Sequence, residues 1–263
     1  MKRILGHIVS LLAVGFVAGA VMPACATNDQ SIFIHGALAP SANRTNGACV
    51  YTGDPQQAML LQAGLDVGVT DSYFAVLLVG NQLITRGDPQ NNRAESNRAH
   101  INGGIVRVTE PDGRAIPGIP DFTSLATGFN DPQQNNAPGY SSIGLVVVDA
   151  PTADVLRASL PNRAVSRTVL INVKVFGKTL SGVDLESGEY QLPMQVCNGC
   201  LVSFAGGLDP AGPKDAQGNV IPNCSKPLVA GTSTSVPCRT GQDETVPCQL
   251  CVGVKKACDP KNP

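Results

Sequence analysis

The placement of cysteines constrains this chain more than any other feature. Apart from Cys25, they are Cys49, Cys197, Cys200, Cys224, Cys238, Cys248, Cys251 and Cys258. Seven of these eight lie within residues 197–258, and Cys49 alone lies outside. An even set in an exported chain reads as a disulfide framework whose connectivity the sequence does not specify. Seven is odd, so if every thiol is oxidised within one chain, Cys49 must tie the early chain to the tail.

Export itself is read from the N terminus. Lys2 and Arg3 precede an uncharged run from Ile4 to Ala24, the pattern of an export signal, so residues 1–24 are left out of the fold. Ala24-Cys25 resembles the lipobox of bacterial lipoproteins, in which a small residue precedes the cysteine that becomes diacylated. It departs from that family at Met22 and Pro23, where Leu or Val and then a small residue are usual. Cleavage after Ala26 satisfies the small-x-small rule as well, and the uncharged run is also long enough for an uncleaved span. The resemblance implies a lipid anchor on Cys25, and Ala26 after it implies the outer membrane or cell surface. Each buried CH₂ of an acyl chain is worth about 0.8 kcal/mol, so two or three chains attach durably.

With Lys2 and Arg3 removed, 19 basic residues become 17 against 20 acidic ones. That near-neutral balance gives no electrostatic reason to expect nucleic acid as a partner. Charged residues are only 15% of the chain, beside 28 Gly and 20 Pro, which fits a turn-rich β protein. Trp is absent and aromatics are 4%, which weakens a sugar-binding reading because that usually needs aromatic platforms.

Short apolar patterns predict nine strands. They cover 31–35, 49–51, 59–69, 73–79, 105–109, 143–148, 168–176, 190–196 and 201–204. Met59, Leu61, Ala63, Leu65, Val67 and Val69 alternate at a period no helix keeps. Val169, Ile171, Val173 and Val175 alternate most cleanly, and Gly103-Gly104 marks a bulge. Thr152 is a cap for one helix that Pro161 stops after Leu160. Together these predict an all-β fold, an antiparallel immunoglobulin-like β-sandwich over 25–205 with one short helix. A barrel is the alternative. Residues 206–263 form a Cys-rich, loop-dominated segment with little periodic apolar pattern, which depends on its cysteines for order.

The motif Gly182…Tyr190-Gln191-Leu192-Pro193 leads into Cys197-x-x-Cys200. Cys238-x-x-Gly241-Gln242-Asp243 then precedes Cys248-x-x-Cys251. This order resembles a set of Cys-rich envelope lipoproteins of myxobacterial type over about the last third of the chain. The resemblance implies the anchor and the architecture, and no chemistry.

Cys197-Asn198-Gly199-Cys200 lies between apolar runs, and Asn-Gly there predicts a two-residue type I′ hairpin. A redox Cys-x-x-Cys needs a following helix to lower its thiol pKa, and none is patterned here. Four thiolates from Cys197, Cys200, Cys248 and Cys251 are a possible zinc set, though their separation is far from compact ribbon spacing. No cofactor is otherwise expected. His35 and His100 are the histidines outside the leader, and Ser141-Ser142 sits in no nucleophile elbow. Glu95, Glu110, Asp112 and Asp121 lie in predicted loops, where any two are as readily ordinary surface acids as a catalytic pair. Three Asp-Pro-Gln phrases, at 54–56, 88–90 and 131–133, read as turns before they read as calcium ligands.

The functional expectation is a non-enzymatic cell-envelope lipoprotein, a surface scaffold or interaction module for another envelope or extracellular protein. A metal-binding or thiol-redox module is the alternative. If the strands follow one another as a meander, the long loop from Glu110 to Ser142 points away from the membrane. Its tip, with Asp131, Gln133, Asn135 and Tyr140, is then the expected partner contact.

Overall fold

A computed structural model describes residues 31–41, 49–160, 165–204, 214, 216–218, 224 and 237–259. The leader and Cys25 lie outside the described residues. Among those described, no helix is long and apolar enough to cross a membrane. The fold is all-β. The chain runs through β1 (Ile32–Ala37), β2 (Ala63–Asp66), β3 (Tyr73–Asn81), β4 (Ala99–Thr109), β5 (Phe122–Asn130) and β6 (Gly139–Val148). After α1 (Ala150–Ala158) come β7 (Ser166–Thr179), β8 (Asp184–Glu186), β9 (Tyr190–Cys197), β10 (Val202–Ser203), β11 (Val246–Pro247) and the single-turn α2 (Cys248–Cys251).

The smaller sheet has the order β1-β3-β6. The larger has the order β2-β9-β7-β4-β5, with β8 beside β7, and β10 pairs with β11 alone. One core joins the two main sheets, with Leu77, Val79, Ile143 and Leu145 from the smaller meeting Ile101, Val106, Ile171 and Leu192 from the larger. β3 is buried almost throughout because it is the middle strand of its sheet and lies under loop residues as well. Polar ties link the sheets at both sides. The Tyr190 hydroxyl on β9 accepts the Ala37 N–H of β1 at 3.2 Å, and Ser124 Oγ on β5 accepts the Val146 N–H of β6 at 3.0 Å.

Several expected elements shift. The strand expected over 59–69 shrinks to β2, because Val67, Val69 and Thr70 turn back onto Asp66 and Cys197. Residues 49–51 form no strand. The helix begins earlier, capped by Asp149 whose Oδ1 accepts from the Thr152 N–H at 3.1 Å, with Thr152 inside it. The bulge is real and falls between Ile101 and Gly103. β5 was not expected at all: it occupies the middle of the supposed loop from Glu110 to Ser142. Its core-facing positions are Ser124, Ala126, Gly128 and Asn130, while Leu125 and Phe129 point outward, so no apolar alternation marks it. Small residues there allow close packing, since a Cβ on Gly128 would lie 2.4 Å from Ile143.

The meander is likewise overturned. Ser31 accepts the Gln82 N–H at 2.9 Å, Ile32 pairs with Asn81, and Gly139 pairs with Asn81 from the other side. Ser31, loop 82–98 and turn 131–138 therefore share one end. Asn81 organises it: buried, it donates to the carbonyls of Asn97 and Asn130 at 3.1 Å each and accepts the Leu83 N–H at 3.0 Å. We term this the asparagine pole. Tyr73, Val148, Ser166 and Cys197 mark the opposite, cap pole. The 9-residue β3 separates the two by about 30 Å.

Replacing Asn81 with Leu orphans two main-chain carbonyls and is expected to cost about 2–3 kcal/mol. Urea unfolding should show a lower midpoint at an unchanged slope.

Candidate functional site

The cap pole concentrates the chain's unusual chemistry. All eight cysteines of the framework are paired, as Cys49–Cys238, Cys197–Cys200, Cys224–Cys248 and Cys251–Cys258. Cys49 does reach the tail, across 189 residues. The supposed zinc set is divided among three different disulfides. Around these bonds lies a small second core of Val69, Val202, Cys224, Val246, Cys248, Cys251, Ala257 and Cys258. Half its members are bonded cysteines, so covalent links replace the apolar bulk that this segment lacks.

Two carboxylates dock the cap. Asp66, fully buried at the end of β2, accepts N–H bonds from Gly68 at 3.0 Å, Gly199 at 2.6 Å and Leu201 at 2.9 Å. It sits within ligand reach of Cys197 and Cys200, but its oxygens are spent on main-chain amides. Asp66 therefore acts as a clasp on the Cys-x-x-Cys loop. The expected hairpin at that loop is absent. Gly199 is left-handed at φ 88° but Asn198 is not, and β10 pairs in parallel with β11 and not with β9. The type I′ geometry occurs instead at Asn135 and Asn136, with φ 51° and 62°.

The second carboxylate belongs to the motif Cys238-x-x-Gly241-Gln242-Asp243. Asp243 accepts the Gly64 N–H of β2 at 2.8 Å and the Tyr73 hydroxyl of β3 at 2.6 Å. Gly241 at φ 82° and Asp243 at φ 57° bend the segment so that the Gly241 carbonyl accepts from Asp66 N–H and the Gly64 carbonyl from Asp243 N–H. Gln242 donates to the Ser72 carbonyl at 2.8 Å, and Arg239 lies 4.0 Å over the Phe74 ring. Beside them a cleft lined by Leu38, Tyr51, Tyr73 and Asp243 encloses about 20 Å³, room for about one water.

Burial pushes the Asp243 carboxyl above its ordinary value; the Tyr73 and Gly64 bonds oppose this, and the charge of Glu244 adds to it. Burial, then the charge of Asp243, holds the Tyr73 phenol well above its ordinary range, so it stays a donor.

The other singled-out residues are dispersed. Glu95 accepts backbone N–H groups of Arg86, Gly87 and Asn97, Glu110 pairs with Arg167, and Asp112 pairs with Arg114. Asp54 and Asp88 accept the N–H two residues on, as turn formers do. His35 packs edge-on to Tyr140, and His100 stacks on Phe129 at 4.7 Å. Of the expected contact residues, Gln133 and Asn135 line an open hollow of about 540 Å³ with Ile84 and Thr85. Asp131 ion-pairs with Arg98 at 2.8 Å, and Tyr140 lies in β6 beside Phe33. All sit at or toward the asparagine pole, not the end expected. Asp66 and Asn81 carried no sequence signal as clasps, and the Gly241-Gln242-Asp243 motif stood out only through its resemblance to envelope lipoproteins. No protein-family model and no curated protein matches this chain.

Removing the long crosslink by Cys49→Ala with Cys238→Ala should cost about 5 kcal/mol on the chain-entropy account. Equilibrium unfolding against wild type measures it, and peptide mapping without reductant should recover Cys49 joined to Cys238.

Asp243 gives a pH test. A raised folded value means the folded state prefers the protonated acid. Its contribution is fully present below the unfolded value near 3.8 and is lost as pH rises through the folded value. The stability of wild type minus that of Asp243→Asn should therefore fall as pH is raised from about 4. A difference that grows with pH would mean that the Tyr73 and Gly64 bonds outweigh burial.

Proposed function

We propose that this chain is an exported, lipid-anchored envelope protein, a non-enzymatic scaffold whose disulfide-stapled cap is presented away from the membrane. The observation that carries the reading is the opposition of Ser31 and the cap across the long axis of the body. Five residues lie between Cys25 and Ser31, so the two are at most about 20 Å apart along an extended chain. A tether at Cys25 therefore holds the asparagine pole close to the bilayer and the cap roughly 30 Å farther out.

The cap suits a contact role. Leu250, Val252 and Val254 are exposed on a short turn that Cys251–Cys258 closes and Cys224–Cys248 secures. A surface ordered before binding loses less entropy on meeting a partner. A non-enzymatic role is supported by how the candidate acids are used, since Glu95, Glu110 and Asp112 are engaged in backbone caps and ion pairs. The body is read as immunoglobulin-like in its layering, with the parallel β2–β9 edge as an addition to that plan.

Cys25→Ser tests the anchor. Wild type should partition into the detergent phase, and the variant should be released in soluble form or accumulate unprocessed. A variant that stays in the detergent phase with its leader intact would overturn acylation in favour of an uncleaved span.

A further inference from the structure

The asparagine pole carries an apolar surface with a definite neighbour. Ile84 is 73% exposed, Leu180 54% and Val183 51%. They are held together through the start of β4. The Asn97 side chain donates to the Ile84 carbonyl at 2.7 Å, the Leu180 N–H donates to the Arg98 carbonyl at 3.0 Å, and the Val183 carbonyl accepts from Thr179 at 2.8 Å. The Ile84 and Val183 carbonyls and the Leu180 and Val183 N–H groups are thus paired within the protein while the side chains are exposed.

Charge at this pole is balanced. Arg86, Arg93, Arg98 and Lys178 stand against Asp88, Glu95, Asp131 and Asp184 at this pole, with Arg98–Asp131 and Lys178–Asp184 as ion pairs. Such a surface has no net attraction for anionic lipid but can lay apolar side chains into an interface. Ser31 also lies here, against Gln82, within about 20 Å of Cys25 along the chain.

We infer that the asparagine pole is a lipid-contacting face, with Ile84, Leu180 and Val183 entering the headgroup boundary of the bilayer that holds the N terminus. This rests on the lipid anchor proposed above. Its consequence is that the body does not swing freely on its tether but stands on the membrane with the cap outward.

The chain contains no Trp, so single tryptophans report without background. The full-length acylated protein is prepared as Ile84→Trp, Leu180→Trp and, at the cap, Leu250→Trp, and is reconstituted on phosphatidylcholine vesicles with and without brominated acyl chains. Flotation measures attachment, and quenching measures contact with acyl chains. At positions 84 and 180, emission should shift to the blue and be quenched several-fold more than at 250, with no gain from added anionic lipid. If the protein floats but 84 and 180 are quenched no more than 250, the lipid face is overturned and the anchor stands. A blue shift at 84 without bromine quenching would mark a second copy or another protein there, and would also overturn it. If the wild-type protein does not float, the anchor fails and the lipid face falls with it.

Discussion

Asp243 accepts hydrogen bonds from the edge of the larger sheet at Gly64 and from the middle strand of the smaller sheet at Tyr73, and the remaining architecture depends on that bridge. Two facing sheets bury their inner sides well, but their edges are open unless something crosses between them. On one side β5 lies against β6, joined by Ser124 and by the asparagine clasp. On the side of β2 the crossing element is the tail segment around Asp243. It is held by a long-range disulfide and by Gln242, and it covers an edge strand only four residues long. A carboxylate that bonds both sheets in a mostly buried place costs desolvation. Its two hydrogen bonds offset that cost only in part, and the crosslink keeps the segment in place.

The same bridge gives the molecule its polarity. Because the tail returns to Tyr73 and Gly64, the Cys-rich segment gathers at the end where β9 finishes and α1 begins. Ser31 lies at the other end, fixed by the antiparallel pairing of β1 with β3. The proposed envelope scaffold uses that polarity, with a tether at Cys25 on one side and the stapled cap on the other.

Much of the fold was legible. β1, β3, β6, β7 and β9 announce themselves because each buries apolar residues on a regular side, or on both. β5 did not, since its inner positions are Ser124, Ala126, Gly128 and Asn130, and its large residues face solvent. The alternation from Met59 to Val69 overstated β2, because Leu61 is fully outward and the chain turns after Asp66. Asn198-Gly199 suggested a hairpin that a parallel partner far along the chain, β11, prevents. In each case a partner distant in sequence overrode a local pattern.

By itself the sequence determined the all-β class, the isolation of Cys49 from the other seven cysteines and, given full oxidation within one chain, the need for one bond from it into the tail. These follow from side-chain periodicity and from parity, which are properties of the chain alone. Tertiary structure alone decided which tail cysteine Cys49 meets, that Asp66 and Asn81 become buried clasps, and which loops share an end. The reason is geometric. A carboxylate or amide reads as an ordinary polar residue until packing removes it from water and brings main-chain groups within 3 Å, as at Asp66 with Gly199 and Leu201.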